Sequence, residues 1–219
     1  HGLTIGEIAR LFNQEFGIGA ALDIVPLDGW TRDMYFDATG LPWIIPSPNL
    51  PTLDSAIVYP GAVLVEGTML SEGRGTTRPL ELFGAPDLDA AAMLAKMHAL
   101  APEWLAGCRL RPCWFEPTFH KHAGQLCAGL QIHVDDPGYN HSKFQPWRLM
   151  ALAFKALKQW RPDYPLWRDF PYEYETGRLA IDLINGGPRL REWVDDPAAL
   201  PGDLDAMARK EESEWQAKE

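Results

Sequence analysis

Residues 61–84 constrain this chain more than any other stretch: they read Gly-Ala-Val-Leu-Val-Glu-Gly-Thr-Met-Leu-Ser-Glu-Gly-Arg-Gly-Thr-Thr-Arg-Pro-Leu-Glu-Leu-Phe-Gly. The apolar run 62–65 has the length and continuity of a buried strand. It empties into a loop that alternates charge, hydroxyl and glycine before a second apolar strand over 80–83. Polar groups are thereby gathered at the mouth of a hydrophobic strand, where open sheets place their ligands. Glu66, Glu72, Arg74 and Arg78 carry both signs of charge, Thr68, Ser71, Thr76 and Thr77 add hydroxyls, and the glycines let backbone approach closely. Such an inventory suits a polyhydroxylated ligand that bears an anionic group. The same residues could instead satisfy one another, as a salt-bridged loop that only shapes the fold.

Around this block the pattern alternates helix and strand. Thr4 and Glu7 form a capping box, after which Ile5, Ile8, Leu11, Phe12 and Phe16 keep helical spacing until Gly17. Residues 22–27 read as a strand. A long connection follows, with prolines at 42, 46, 48 and 51 and the aromatics Trp30, Tyr35, Phe36 and Trp43; Trp43 beside Asn49 would make a sugar-binding wall, or the rings are simply core. A short helix over 52–59 is capped by Thr52 and halted by Pro60. Asp87 caps a helix over 87–98 whose buried stripe is Leu88, Ala91, Ala92, Ala95 and Met97. Strands are expected over 108–119 and 129–134; in the second, Leu130, Ile132 and Val134 face one way, which puts Gln131 and His133 together on the other side as candidate site residues. A helix over 144–160 starts at Pro146, buries Trp147, Met150, Phe154 and Leu157, and has Lys155 and Lys158 near its negative end. Shorter helices at 179–185 and 189–193 and a charged helical tail from Leu204 complete the chain. The expected fold is α/β: a mixed sheet with flanking helices and a helical C-terminal tail, since some neighbouring strands are joined too closely for a parallel crossover.

Charge and cysteine content exclude several classes. A net charge of −10 over 219 residues argues against nucleic acid as a partner, because phosphate neutralisation needs clustered Lys and Arg. Cys108, Cys113 and Cys127 are odd in number and lack CxxC spacing, so they indicate neither a disulfide framework nor a zinc knuckle. His120-Lys121-His122 and His133-Val134-Asp135 lack the helical i, i+4 pair of a metalloenzyme, and no metal or cofactor is expected. No apolar run approaches the roughly 18 residues of a membrane span. Gly73-Arg74-Gly75-Thr76-Thr77 lacks the Gly-Lys-Ser/Thr of a P-loop and leads to Pro79 rather than to a helix, and no Gly-x-Ser-x-Gly elbow occurs. Glu66, Glu72 and Glu116 remain as acid or base groups; glycoside hydrolysis uses such carboxyls in pairs, one raised in pKa and one ionised.

Several further motifs stand out: His1-Gly2-Leu3-Thr4 through Phe12-Asn13, Gly40-Leu41-Pro42-Trp43, Pro46-Ser47-Pro48-Asn49, Pro51-Thr52-Leu53-Asp54, Tyr59-Pro60-Gly61 and Glu66-Gly67-Thr68, with residues 129–134 and 171–175. With the block 71–79, Ser-Glu-Gly-Arg-Gly-Thr-Thr-Arg-Pro, the most specific of them, they together resemble the bacterial exo-β-N-acetylmuramidase family. The resemblance implies a peptidoglycan hexosaminidase that removes N-acetylmuramic acid from non-reducing ends, in the bacterial cell envelope, with a saccharide as its partner. Family members have a Rossmann-like N-terminal half whose Gly-Pro-Glu-His-Gly type motif supplies the proposed catalytic glutamate, and that motif is not present here. The chain is therefore expected to be a single domain over 1–219 resembling the C-terminal domain, one wall of an interdomain cleft whose other wall is the N-terminal half. Glu72 and Glu66 are its candidate acid and base groups. Arg74, Arg78, Thr68, Thr76, Asn49, Trp43, Gln131 and His133 are its candidate substrate contacts, with Arg74 on the muramic acid carboxylate. The alternative is a non-catalytic carbohydrate- or anion-binding module.

Overall fold

The computed structural model describes residues 2–217. They form two compact units, one of residues 44–208 and one combining the described residues before 44 with those after 208.

In the smaller unit the helix α1 (Ile5–Glu15) begins as its sequence requires. Thr4 Oγ1 accepts from the Glu7 amide at 3.3 Å while the Thr4 amide donates to Glu7 Oε2 at 2.6 Å, so two orphan donors are satisfied reciprocally. Asn13 closes the turn beyond the helix by bonding both the amide and the carbonyl of Ala20. The apolar stripe expected to be buried is not: no residue of α1 is buried, and Ile5, Phe16 and, further on, Val25 stand largely in solvent. Residues 22–27, expected as a strand, are irregular, having no ladder partner.

The larger unit is built on α4 (Pro146–Trp160), whose residues 149–157 are all buried, as a helix enclosed on every side must be. Around it lie α2 (Leu53–Ala62), α3 (Ala90–Leu100), α5 (Ala180–Ile184), α6 (Arg189–Asp195) and the first turns of α7 (Pro201–Gln216). Lys155, expected to serve the end of its own helix, instead reaches α6: its ammonium donates to the carbonyls of Trp193 at 2.7 Å and of Val194 and Asp196, capping that helix's negative end. No described helix is long and apolar enough to cross a membrane.

The sheet comprises β1 (Leu82–Ala85), β2 (Arg109–Phe115) and β3 (Cys127–His133) in the order β1-β3-β2. The α/β class and the helical tail stand, but every adjacent pair is antiparallel rather than mixed. The reason lies in the insertion of β3: α3 does return the chain parallel to β1, yet β3 pairs between them and runs against both. One face, with Phe83, Leu130 and Ile132, packs into the main core; the other carries Leu82, Phe115 and Cys127 in a small apolar cluster. Gln131 and His133 lie on this second face, as the alternation required.

Residues 62–65 are the chief correction. They are not a strand: α2 runs through Pro60 to Ala62 and passes into a tight 3₁₀ turn, Val63–Gly67. A fully buried apolar run has no periodicity to separate strand from helix; here the helix that begins at the Thr52/Ser55 capping box runs on into it. Helix termini elsewhere move by a few residues; α3 is capped by Asp89, whose carboxylate accepts from the Ala92 amide at 3.0 Å, and not by Asp87.

Candidate functional site

The loop from Glu72 to Leu80 is closed at its base, where the Leu80 amide donates to the Glu72 carbonyl at 2.8 Å. A buried glutamate marks each foot, Glu72 at one and Glu81 at the other, both with side chains only 1% exposed. Each arginine of the loop turns back to the glutamate at its own foot: Arg74 Nε donates to Glu72 Oε1, and Arg78 Nη1 to Glu81 Oε2 at 3.0 Å. Close approach is obligatory here. Gly75 sits at φ +78°, and a Cβ on it would stand 1.8 Å from Thr118 Oγ1, so no side chain fits between this loop and the β2–β3 connection.

Two polar networks result. In the first, Arg74 also donates Nη2 to Glu66 Oε1 at 2.8 Å, joining Glu66 of the 3₁₀ turn to Glu72 of the loop. Tyr172 donates its hydroxyl to Glu66 Oε2 at 3.3 Å. Beneath them Lys121, from the β2–β3 connection, places Nζ 2.8 Å from Glu72 Oε2 and donates to the carbonyls of Val65 at 2.7 Å and Thr68 at 3.0 Å. His120 and His122 flank it in left-handed conformations, φ +69° and +57°. Each such non-glycine residue costs on the order of 1–3 kcal/mol and persists only where its surroundings dictate it. Those surroundings are visible: the His122 ring bonds the Met69 carbonyl at 2.7 Å, and Arg168 Nη1 donates to His120 Nε2 at 3.2 Å. Because the guanidinium can only donate, the proton of a neutral His120 sits on Nδ1, which faces Glu72 Oε1 at 3.6 Å.

The environments of the two glutamates drive their acidities apart. Burial raises the Glu66 carboxyl above its ordinary 4.5, and the Glu72 charge adds to this against the opposing pull of Arg74 and Tyr172. For Glu72 burial acts the same way, but the charges and hydrogen bonds of Lys121 and Arg74 outweigh it and hold the carboxyl below 4.5. Lys121 is pushed down to about 8, chiefly by burial, with Glu72 restoring part of the shift. His120 is held below 6.5 by burial and by the Arg168, Arg74 and Lys121 charges, against Glu72.

The second network lies on the outer face of the sheet. Arg78 meets three carboxylates: Asp54 at 3.2 Å, Glu81, and Asp135 at 3.5 Å. His133 Nδ1 bonds Asp135 Oδ1 at 3.0 Å, while Arg111 donates to His133 Nε2 at 3.3 Å and to Gln131 Oε1. Gln131 and His133 are thus brought together as expected, but by Arg111 of β2, which sequence reasoning did not single out.

The remaining candidates fall elsewhere. Thr68 is fully buried, donating to the Val65 carbonyl at 2.8 Å and accepting from the Leu70 amide; Thr76 donates to the Gly73 carbonyl at 2.6 Å and accepts from the Arg78 amide. Both hydroxyls shape turns. Asn49 sits in the turn where the Leu50 amide reaches the Ser47 carbonyl at 2.9 Å. Trp43 belongs to the smaller unit, its ring edge-on to Phe36 with centroids 5.1 Å apart. A cavity of about 680 Å³ lined by Lys96, Lys158, Tyr164, Trp167 and Asp195, among others, contains none of the candidates. Like Arg111, the residues Lys121, Arg168 and Tyr172 were missed as site members. Lys121 was signalled only by the His-Lys-His triplet, which drew attention as a metal motif rather than as a cation between two pinned histidines, and Tyr172 only by its place in the block 171–175.

Comparison with known proteins matches two parts of the chain to two family models. The family model for the C-terminal part of exo-β-N-acetylmuramidase NamZ matches residues 57–219, and that for the N-terminal part matches residues 1–54. One match ends and the other begins within the first turns of α2. The chain is 50% identical over 200 residues to the peptidoglycan β-N-acetylmuramidase NamZ of Bacillus subtilis (strain 168), covering 91% of this chain and 45% of that protein. It thus spans about half the length of the curated relative. A crystal structure of a DUF1343 family protein from Bacteroides fragilis NCTC 9343 superposes with a TM-score of 0.69 at 25% identity, over 94% of this chain and 54% of that one. A second from the same organism, at 21% identity and a TM-score of 0.65 over 99% and 54%, shares the fold.

Proposed function

The chain belongs to the exo-β-N-acetylmuramidase NamZ family, and from that premise we propose that it forms one wall of the cleft of a glycoside hydrolase that releases N-acetylmuramic acid from the non-reducing end of peptidoglycan fragments. The observation that carries this reading is the divergence of Glu66 and Glu72 within one polar network: burial makes the Glu66 carboxyl harder to ionise, whereas Lys121 and Arg74 outweigh burial and make that of Glu72 easier to ionise. A carboxyl whose surroundings favour its protonated form, as those of Glu66 do, is one of the two that acid–base cleavage of a glycosidic bond needs. The exposures of Glu66 and Glu72 support a division of roles. Glu66, with 19% of its side chain open to solvent, is the group in this chain able to reach a sugar and carry a proton; Glu72, at 1%, orients Arg74 and Lys121 beneath it. The opposing carboxylate would come from the glutamate of the family's N-terminal half.

That half is the proposed partner of the present chain. The exposed Ile5, Phe16 and Val25 lie in the stretch that matches the N-terminal family model, and side chains of this kind are normally covered. The expected consequence is that residues 1–219 alone do not hydrolyse a chromogenic N-acetylmuramide, whereas the natural full-length protein does. In the full-length protein Glu66→Gln should lower kcat by about 10²- to 10⁴-fold, the range for loss of a general acid or base, with the affinity for N-acetylmuramic acid kept. A loss below about threefold would instead support the reading of the site as a non-catalytic saccharide- or anion-binding wall, since effects that small fall outside proton transfer.

A further inference from the structure

Among the described residues Arg168 is the cation at the first network that has no carboxylate partner; in the second network Arg111 likewise has none, but it donates to His133 and Gln131. Arg74 is bracketed by Glu66 and Glu72, Arg78 by Asp54, Glu81 and Asp135, and Lys121 by Glu72 and two carbonyls. Among the described residues no carboxylate lies within ion-pair distance of Arg168. Its guanidinium is nevertheless held in place: it lies over the Phe170 ring with its central carbon 3.8 Å from the centroid, Nη1 donates to His120 Nε2 at 3.2 Å, and its backbone amide donates to the Gly67 carbonyl at 3.1 Å. It stands beside the first network, since Gly67 adjoins Glu66 and His120 faces Glu72.

From this arrangement we infer that Arg168 is the residue that receives the carboxylate of the sugar, the role the sequence alone suggested for Arg74. The inference rests on the muramic acid reading above and names the contact that would distinguish that sugar from its neutral relatives. Charge balance is the first reason. In the first network Arg74 and Lys121 pair with Glu66 and Glu72 while Arg168 has no carboxylate, so one surplus positive charge remains for a ligand carboxylate to neutralise, whereas a carboxylate brought to Arg74 meets two already there. The effect of that surplus is felt by its neighbours, for the Arg168 charge helps to lower the proton affinity of both His120 and Lys121. Donor supply is the second reason. A guanidinium has five N–H groups and one of Arg168's is used by His120, leaving a pair free for a two-point grip on a carboxylate. The third is preorganisation: stacking on Phe170 and the imidazole bond fix the plane before ligand arrives, so little side-chain freedom is lost on binding. His120 becomes a positioning residue, kept neutral and bound through the nitrogen that accepts.

The test uses the natural full-length protein and two sugars, N-acetylmuramic acid and its lactyl carboxamide, titrated calorimetrically into wild type, Arg168→Gln and Arg168→Lys. Wild type should prefer the acid. Arg168→Gln should weaken the acid about 10- to 100-fold, as for a lost hydrogen bond to a charged group, and leave the carboxamide within about threefold, with Arg168→Lys between. Equal losses on both sugars, no loss on either, or failure of wild type to bind the acid would overturn the assignment. Should Arg168→Gln not fold, Arg168→Lys decides by the same acid-against-amide comparison. Hydrolysis of an N-acetylmuramide glycoside is measured in parallel. Acid-selective binding through Arg168 without turnover would sink the hydrolase reading and leave this one standing; turnover by wild type with no selective loss in the variants would do the reverse.

Discussion

Glu72 and Lys121 form an ion pair of 2.8 Å in which the side chains are 1% and 5% exposed, inside a domain whose other buried groups are overwhelmingly apolar. Arg74 and the Val65 and Thr68 carbonyls complete the shell around it. A pair removed from water to this degree contributes little net stability, yet losing one member leaves an uncompensated charge. It ties the β2–β3 connection to the foot of the loop that carries both arginines.

That relation predicts strong coupling. Lys121→Met alone should destabilise the protein by about 3–5 kcal/mol, the range for breaking one side of a buried pair, and Glu72→Gln by a comparable amount. The double variant should lose less than the sum by at least about 1 kcal/mol. Urea unfolding of the four proteins measures this, and additive losses would show that the two groups act independently.

The same pair predicts how stability varies with pH. Because the folded-state carboxyl of Glu72 lies below 4.5, its contribution is present above that value and is lost as pH falls through the folded value. Wild type should therefore lose stability on acidification more steeply than Glu72→Gln. Lys121 has the opposite sense: with its folded value near 8 against 10.5 unfolded, the folded state binds fewer protons between them, so its contribution rises with pH across that window. Relative to Lys121→Met, wild type should gain stability between about pH 8 and 10. A flat difference across both windows would contradict the assignment.

Tyr172 supplies a test of Glu66. Its hydroxyl bond favours the ionised carboxylate, against the burial that disfavours it. Tyr172→Phe should raise the Glu66 value further. If Glu66 acts as the acid, the alkaline limb of the full-length protein's pH–rate profile moves to higher pH, because the protonated form persists longer. A limb that stays in place, or moves to lower pH, would assign it to another group.

The exposed apolar residues of the smaller unit predict a context effect. Val25→Glu should change the stability of residues 1–219 by no more than about 0.5 kcal/mol, as for other surface substitutions. In the full-length protein, where the N-terminal half is proposed to cover this region, the same change should cost about 1–3 kcal/mol for a charge placed in an apolar contact. Equal effects in both would mean that Val25 is exposed in the natural protein too.

Sequence by itself determined what depends on neighbours along the chain. The Thr4/Glu7 box, the Pro146 start of α4 and the outward throw of Gln131 and His133 all follow from periodicity and capping, which act within a turn or a pleat. The motifs of residues 71–79 likewise carried the family. Tertiary structure decided the rest. Ala62 to Val65 could be strand or helix because a fully buried run presents no pattern, and only the packing against α4 and α5 resolves it. The sheet became antiparallel because β3 inserts between two strands that run the same way, a choice of partner that no local signal records. The site shows the limit most plainly. Arg74 and Arg168 are both conspicuous as arginines, but which one is already neutralised depends on Glu66 and Glu72, and what fixes the other depends on His120 and Phe170. Charge compensation is a property of distances in space, and spacing along the chain does not contain it.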